Sequence, residues 1–90
     1  MAEKEIEKKL VQTAIRYREN SYSPYSNFKV GAAVLTESGN IYGGCNIENS
    51  SYGITMCAER VAILKAVSEG ERIIEKIAIV TNSVELSYSC

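Results

Sequence analysis

A cysteine and a glutamate at close spacing are the residues of this chain that most strongly suggest chemistry. Residues 57–60 are Cys-Ala-Glu-Arg, and a further cysteine, Cys90, is the last of the 90 residues. Cys57 offers a thiolate that can bind a metal, and Glu59 offers a carboxylate that can transfer protons. At the first turn of a helix, unpaired backbone amides favour such a thiolate. An isolated Cys-x-Glu is more often a buried cysteine beside a solvated glutamate, so the spacing alone leaves both interpretations open.

The composition excludes several other kinds of chemistry and partner. The chain contains no histidine, which excludes Ser-His-Asp and Cys-His catalysis and leaves thiolates and carboxylates as metal ligands. The formal net charge is −1, with acids and bases interspersed, so we expect no nucleic-acid partner. No apolar run is long enough for a membrane span, and the first residues do not resemble a secretory signal. We therefore expect a cytoplasmic protein with no membrane partner.

Two helices and three strands are predicted around these residues. Apolar side chains at helical spacing predict the helices, whereas β-branched and small residues flanked by turn residues predict the strands. The last strand is a continuous apolar run, which is typical of burial on both faces. In order, we predict a helix over 3–20, strands over 28–36 and 41–46, an irregular segment over 47–55, a helix over 56–69 and a strand over 75–81.

This order of elements predicts one α/β domain over residues 1–90. Helix, strand, strand, helix and strand form an α/β sandwich with a mixed sheet, in which the second helix crosses over between the second and third strands. Gly43 and Gly44 in the second strand predict either a bulge or the close approach of another backbone.

Four motifs resemble, in the same order, those of the small homo-oligomeric zinc-dependent cytidine deaminases. They are Ser-Pro-Tyr-Ser-Asn-Phe-Lys-Val-Gly-Ala-Ala at 23–33, Gly-Cys-Asn-Ile-Glu-Asn at 44–49, Ser-Tyr-Gly at 51–53 and Cys-Ala-Glu-Arg at 57–60. The resemblance extends from the first helix to Cys90. It implies a cytidine-deaminase-like α/β sandwich, and hydrolytic deamination of cytidine or deoxycytidine to uridine or deoxyuridine in pyrimidine salvage.

The resemblance also implies a Zn²⁺ cofactor and a role for each residue around it. Cys57 and Cys90 are similar to the first and second zinc ligands. Glu59 is similar to the proton shuttle, which works because zinc lowers the pKa of a bound water and a carboxylate can then move its protons. Arg60 resembles the arginine that donates hydrogen bonds to the ligand thiolates, although a solvent-facing helix arginine is the alternative. Cys45 is expected to pack in its strand.

The substrate-binding residues follow from the same resemblance. Phe28 would stack on the pyrimidine ring, Asn46 and Glu48 would bind the ribose hydroxyls, and Ala58 would also contact the substrate. By residue type alone, a phenylalanine in a strand is more typical of a core. Asn46 would then be a turn asparagine, and Glu48 an exposed acid. Tyr52 resembles a residue contributed to the neighbouring subunit's pocket, which implies a homo-oligomer, with a tetramer expected.

The end of the chain departs from the family pattern. Ser89 stands where the family has proline, and Cys90 corresponds to the first cysteine of its Pro-Cys-x-x-Cys motif. We therefore expect a domain that is incomplete at its C-terminus, with later strands and the third thiolate missing. Because protein zinc sites normally have at least three protein ligands, a second function stays open. It is a catalytically impaired or inactive deaminase remnant that binds nucleoside or assembles with a complete subunit.

Overall fold

The computed structural model describes residues 3–49 and 53–81, in which two helices and five strands follow one another. No helix in these ranges is long and apolar enough to cross a membrane. Every predicted helix and strand is present, with small differences at its ends. The elements are α1 (Glu3–Arg18), β1 (Gly31–Thr36), β2 (Ile41–Cys45), β3 (Ile47–Asn49), β4 (Ile54–Met56), α2 (Ala58–Ser68) and β5 (Ile74–Val80).

The prediction of an irregular segment over residues 47–55 was wrong. β3 and β4 pair there as an antiparallel hairpin, with Ile47 opposite Met56 and Glu48 opposite Thr55. Each strand has three residues, which is too short for an alternation of apolar and polar side chains to be recognised in the sequence. Backbone pairing therefore orders residues 47–49 and 54–56, at the two ends of a segment whose polar composition suggested a loop.

The main sheet lies between the two helices, as the α/β sandwich prediction requires. Its strand order is β2-β1-β5, and all six residues of β1 are buried. Because successive side chains of a strand point to opposite faces, Ala33 and Leu35 pack with α1 whereas Ala32 and Val34 pack with α2. The predicted α/β sandwich is thus confirmed, with a core on each side of the sheet.

The connections in this sheet agree with the predicted crossover. β1 pairs antiparallel with both β2 and β5, so β2 and β5 run in the same direction with β1 between them. The chain passes from β2 to β5 through α2, which covers the opposite face from α1. Among the described residues, the parallel pairing expected of a mixed sheet occurs only as the isolated bridge between Tyr22 and Ile47.

The charge distribution along α1 favours its helical conformation and its position on the sheet. Acidic residues lie in its first turn and basic residues in its last, as the helix dipole favours. Leu10 and Ala14 form its buried side. Lys76 of β5 donates a hydrogen bond of 2.7 Å to Glu3, and the Arg18 guanidinium donates one of 2.5 Å to the Thr81 carbonyl. Both ends of α1 are therefore tied to the last strand.

A stripe of small residues lets α2 lie against the sheet at very close range. Ala58, Ala62 and Ala66 recur every fourth residue and are all fully buried. A Cβ atom added at Gly44 of β2 would lie 2.6 Å from the Ala62 nitrogen and 2.8 Å from the Ala58 carbonyl oxygen. The close approach predicted at Gly43 and Gly44 is therefore confirmed, whereas the alternative of a bulge is not, since both residues keep regular pairing with β1.

We expect Gly44→Ala to destabilise the protein by about 1–3 kcal/mol, because the added methyl overlaps backbone atoms of α2 that cannot rotate away. Urea unfolding followed by circular dichroism measures this change. Gly43→Ala is the matched comparison, since its methyl would meet the side chain of Tyr17 rather than a backbone. A Gly44→Ala variant as stable as the wild type would contradict the close contact.

Candidate functional site

The β3–β4 hairpin places the start of α2 beside the segment that follows β2. Ile47 pairs with Met56 at the end of this hairpin, and Asn46 and Cys57 are the residues that adjoin this pair in the sequence. On its other side, β3 is bridged to Tyr22, which donates its N–H to the Asn46 carbonyl at 3.2 Å. The Tyr22 carbonyl accepts the Glu48 N–H at 2.7 Å. Three chain segments that are distant in sequence therefore meet at β3.

Cys57 occupies the N-cap position of α2, close to the start predicted for this helix. Its backbone is extended, with φ −72° and ψ 147°, and its carbonyl accepts the Val61 N–H at 3.1 Å. Its side chain makes no capping hydrogen bond, and the residue is exposed. An exposed thiol at a helix amino end, where backbone N–H groups lack intrahelical partners, is suited to act as an anionic metal ligand.

The next three residues form the first turn of α2. Ala58 is fully buried against the sheet, so any contact that it makes with a substrate falls to its backbone. Glu59 is half-buried, and Arg60 is exposed. Their expected roles, proton transfer for Glu59 and hydrogen bonding to thiolates for Arg60, stay predictions.

The side chain of Asn46 holds together the loop that precedes β1. Its Oδ1 accepts hydrogen bonds from the Ser21 hydroxyl and from the Val30 N–H, the latter at 3.0 Å. Its Nδ2 donates to the Phe28 carbonyl at 2.7 Å. An amide has two acceptor positions and two N–H donors. Within residues 3–49 and 53–81, these contacts therefore use both acceptor positions of Asn46 and leave one N–H for a ligand.

The carboxylate of Glu48 holds the adjacent turn in the same way. Its Oε1 accepts the N–H groups of Tyr25 and Ser26 at 3.0 and 3.1 Å, and its Oε2 accepts the Ser26 hydroxyl at 2.6 Å. These hydrogen bonds, with that of the Ser26 hydroxyl first, lower the pKa of Glu48. Since each carboxylate oxygen has about two acceptor positions, the bonds made by the described part of the chain leave Oε2 one position for a ligand.

Phe28 is exposed near these two polar side chains. Its relative accessibility is 48%, and it lies before β1 rather than within it, so the alternative of a core aromatic was wrong. The preceding residue, Asn27, has a φ of 55°, a left-handed conformation that asparagine tolerates better than most residues. An exposed ring on a loop held by hydrogen bonds is suited to stack on a planar ligand.

The donor set for a metal is only partly within the described residues. These ranges contain no group of three or more cysteine, histidine or acidic residues placed to hold a metal ion. Cys57 fits as one thiolate ligand, whereas Cys90 and the predicted pocket residue Tyr52 lie outside the described residues. Cys45 is partly buried, and burial raises the pKa of its thiol, which disfavours the thiolate form.

Two hydroxyl groups that bond to Asn46 and Glu48 were not predicted from the sequence. The Ser21 hydroxyl bonds to Asn46, and the Ser26 hydroxyl bonds to Glu48. Serines beside a proline-containing turn commonly bond to nearby groups, so the Ser-Tyr-Ser-Pro-Tyr-Ser composition of residues 21–26 was the available signal. It could not identify the partners, because these lie more than twenty residues away in the sequence.

Comparison with known proteins identifies relatives of the whole described fold. Residues 4–85 match the family described as the cytidine and deoxycytidylate deaminase zinc-binding region. A cytidine deaminase of Sporosarcina psychrophila is 53% identical over 75 residues, which cover 83% of this chain and 55% of that protein. A probable cytidine deaminase of Dictyostelium discoideum is 45% identical over 82 residues, covering 91% and 55%.

Solved structures agree with the sequence relatives. The crystal structure of cytidine deaminase from Burkholderia pseudomallei matches with a TM-score of 0.81 and 41% identity, over 100% of this chain and 69% of that one. Cytidine deaminase from Mycobacterium tuberculosis matches with a TM-score of 0.79 and 38% identity, covering 89% and 67%. The chain spans about half the length of the two sequence relatives, 55% in each case.

We expect the turn held by Glu48 to respond to acid in a defined window. The carboxylate form accepts the three hydrogen bonds, and these lower its pKa in the folded state. The bonds are therefore complete above the ordinary glutamate pKa of about 4.3 and are lost as pH falls through the lower folded value. The amide resonances of Tyr25 and Ser26, followed by NMR, should stay constant from neutral pH until the solution is more acidic than this ordinary value.

Glu48→Gln is the control for this titration, because glutamine keeps the size of the side chain but cannot titrate. This variant should lose the acid transition at both amides. The same transition in Glu48→Gln as in the wild type would show that another group controls the turn.

Proposed function

The chain belongs to the family of the cytidine and deoxycytidylate deaminase zinc-binding region, and from this premise we propose that it hydrolytically deaminates cytidine or deoxycytidine to uridine or deoxyuridine. The observation that supports this most directly is the hairpin register, in which Ile47 pairs with Met56. Asn46 and Glu48, which suit a sugar, flank Ile47 in the sequence, and Cys57, whose thiol suits a metal ion, follows Met56.

The loop that precedes β1 and the strand β3 bind the nucleoside. The exposed ring of Phe28 stacks on the pyrimidine, and the sugar lies over Asn46 and Glu48. Asn46 has one N–H to donate, and Oε2 of Glu48 has one position left to accept. A hydroxyl group donates one hydrogen bond and accepts others, so the pair suits a single sugar hydroxyl. Such a site binds ribonucleosides and deoxyribonucleosides that share this hydroxyl.

Residues at the start of α2 carry out the chemical step. Cys57 and Cys90 would hold zinc, which when bound supplies a nucleophile by lowering the pKa of a water molecule. The Glu59 carboxylate accepts a proton from the attacking water and donates it to the ring nitrogen. The water oxygen bonds to the ring carbon that carries the amino group. Glu59 then transfers the remaining proton of that oxygen to the amino nitrogen, and the C–N bond breaks to release ammonia. Arg60 donates hydrogen bonds to the ligand thiolates and thereby offsets their negative charge.

Several finer features of the function belong to the same proposal. Ala58 contacts the base through its backbone, since its side chain is buried. Tyr52 contributes to the pocket of a neighbouring subunit in a homotetramer, so each pocket is complete only in the assembled oligomer. The reaction serves pyrimidine salvage in the cytoplasm.

We expect Glu59→Ala to lower kcat for cytidine at least about a hundredfold while nucleoside binding is largely kept, because proton transfer is lost and the loop is intact. Conversion of cytidine to uridine followed by absorbance measures turnover, and calorimetry measures binding. Glu75→Gln, a change at an exposed carboxylate of β5, is the control and should behave like the wild type. Turnover retained in Glu59→Ala would contradict the assigned role.

We expect the chain purified without chelators to contain about one zinc per chain, since cysteine thiolates bind zinc and Cys57 and Cys90 are assigned to it. Elemental analysis beside protein concentration measures this ratio. Cys57→Ser should lower it strongly, whereas Cys45→Ser should not, because the Cys45 thiol is not assigned to the metal. A ratio near zero in the wild type, with nucleoside binding retained, would favour the catalytically impaired remnant instead.

A further inference from the structure

We propose that Ser26 is a positioning residue, which couples the loop bearing Phe28 to the carboxylate of Glu48 and thereby sets the affinity for the nucleoside. The proposal rests on the proposed function, in which Phe28 contacts the base and Glu48 the sugar. The Ser26 side chain itself contacts neither the base nor the sugar in this account.

The Ser26 hydroxyl lies between the two residues that would bind the ligand. It donates to Oε2 of Glu48 at 2.6 Å and accepts the backbone N–H of Phe28 at 3.1 Å. A serine hydroxyl has one donor and two acceptor positions, so one group can make both bonds at once. The link therefore fixes the base-stacking residue relative to the sugar-binding carboxylate.

The hydroxyl also determines which way the carboxylate of Glu48 is turned. Its Oε1 is held by two backbone N–H groups, those of Tyr25 and Ser26. The bond from the Ser26 hydroxyl to Oε2 then fixes the plane of the carboxylate about that attachment. The remaining acceptor position of Oε2 is thus oriented before a sugar hydroxyl arrives, which reduces the ordering cost of binding.

The fold of the turn does not depend on this hydroxyl. The Asn27 N–H donates to the Ser23 carbonyl at 2.9 Å, and Oε1 of Glu48 bonds to backbone groups only. Residue 26 is exposed, so removal of its hydroxyl leaves no buried cavity. We therefore expect Ser26→Ala to keep the turn. The carboxylate of Glu48 could then rotate, and the Phe28 N–H would lose its hydrogen bond to residue 26.

The test compares Ser26→Ala with Ser26→Thr in the full chain. Because a hydrogen bond to a charged group is lost, Ser26→Ala should raise KM for cytidine by roughly three- to tenfold. Its kcat should be nearly unchanged, since Glu59 and Cys57 lie on a different element. Ser26→Thr retains the hydroxyl and should restore KM. Ser68→Ala is the matched control, because it removes an exposed hydroxyl at the opposite end of α2.

A second measurement on the same variants needs no substrate. Carbon NMR of the Glu48 carboxyl should show a higher pKa in Ser26→Ala than in the wild type, and a near wild-type pKa in Ser26→Thr. A general loss of structure would not be corrected by threonine and would alter kcat as well as KM.

The outcomes separate the two proposals. Wild-type turnover with an unchanged KM in Ser26→Ala would overturn the role of Ser26 and leave the deaminase function standing. An unchanged Glu48 pKa in Ser26→Ala would overturn the hydroxyl link itself. Absence of turnover and of cytidine binding in the wild type would overturn the deaminase function, and the affinity role of Ser26 with it.

Discussion

The close contact between α2 and β2 is the constraint on which the rest of the structure depends. Gly44 has no side chain, so the backbone of α2 reaches the sheet at Ala58 and Ala62. Gly44 lies two residues before Asn46, and Ala58 follows Cys57 directly. This single contact therefore fixes the thiol end of the helix relative to the polar segment after β2. The β3–β4 hairpin extends beyond this contact, with Ile47 paired to Met56.

The polar side chains of the site also build the loop that they share. Asn46 and Glu48 together make six hydrogen bonds to the segment between α1 and β1, and within the described residues this leaves each side chain with a single group for a ligand. Preorganisation of this kind lowers the cost of binding, because the loop is ordered before the ligand arrives. It also limits what can be recognised, since one donor and one acceptor match one hydroxyl group.

The elements with strong sequence patterns were predictable, and those ordered by long-range hydrogen bonds were not. The apolar run of β5 correctly predicted burial on both faces, since Ala78 and Val80 belong to one core and Ile79 to the other. The glycines of β2 correctly predicted a close approach. In contrast, the pairing of β3 with β4 depends on two three-residue strands, and no periodicity exists over so short a length.

The candidate site shows the same division. The position of Cys57 at a helix start followed from the sequence, because apolar side chains at helical spacing predicted a helix over 56–69. The exposure of Phe28 did not follow, since a phenylalanine before a strand is usually core. The bonds from Ser21 and Ser26 were also beyond sequence reasoning, because serine in a turn predicts a bond but not its distant partner.

We propose that the loop before β1, the start of β3 and the start of α2 form one nucleoside site. A titration of the isotope-labelled chain with cytidine, followed by amide resonances, tests this proposal. We expect the resonances of Phe28, Asn46 and Glu59 all to shift with one common dissociation constant. Shifts confined to one of these segments, or different constants for the loop and the helix, would contradict it.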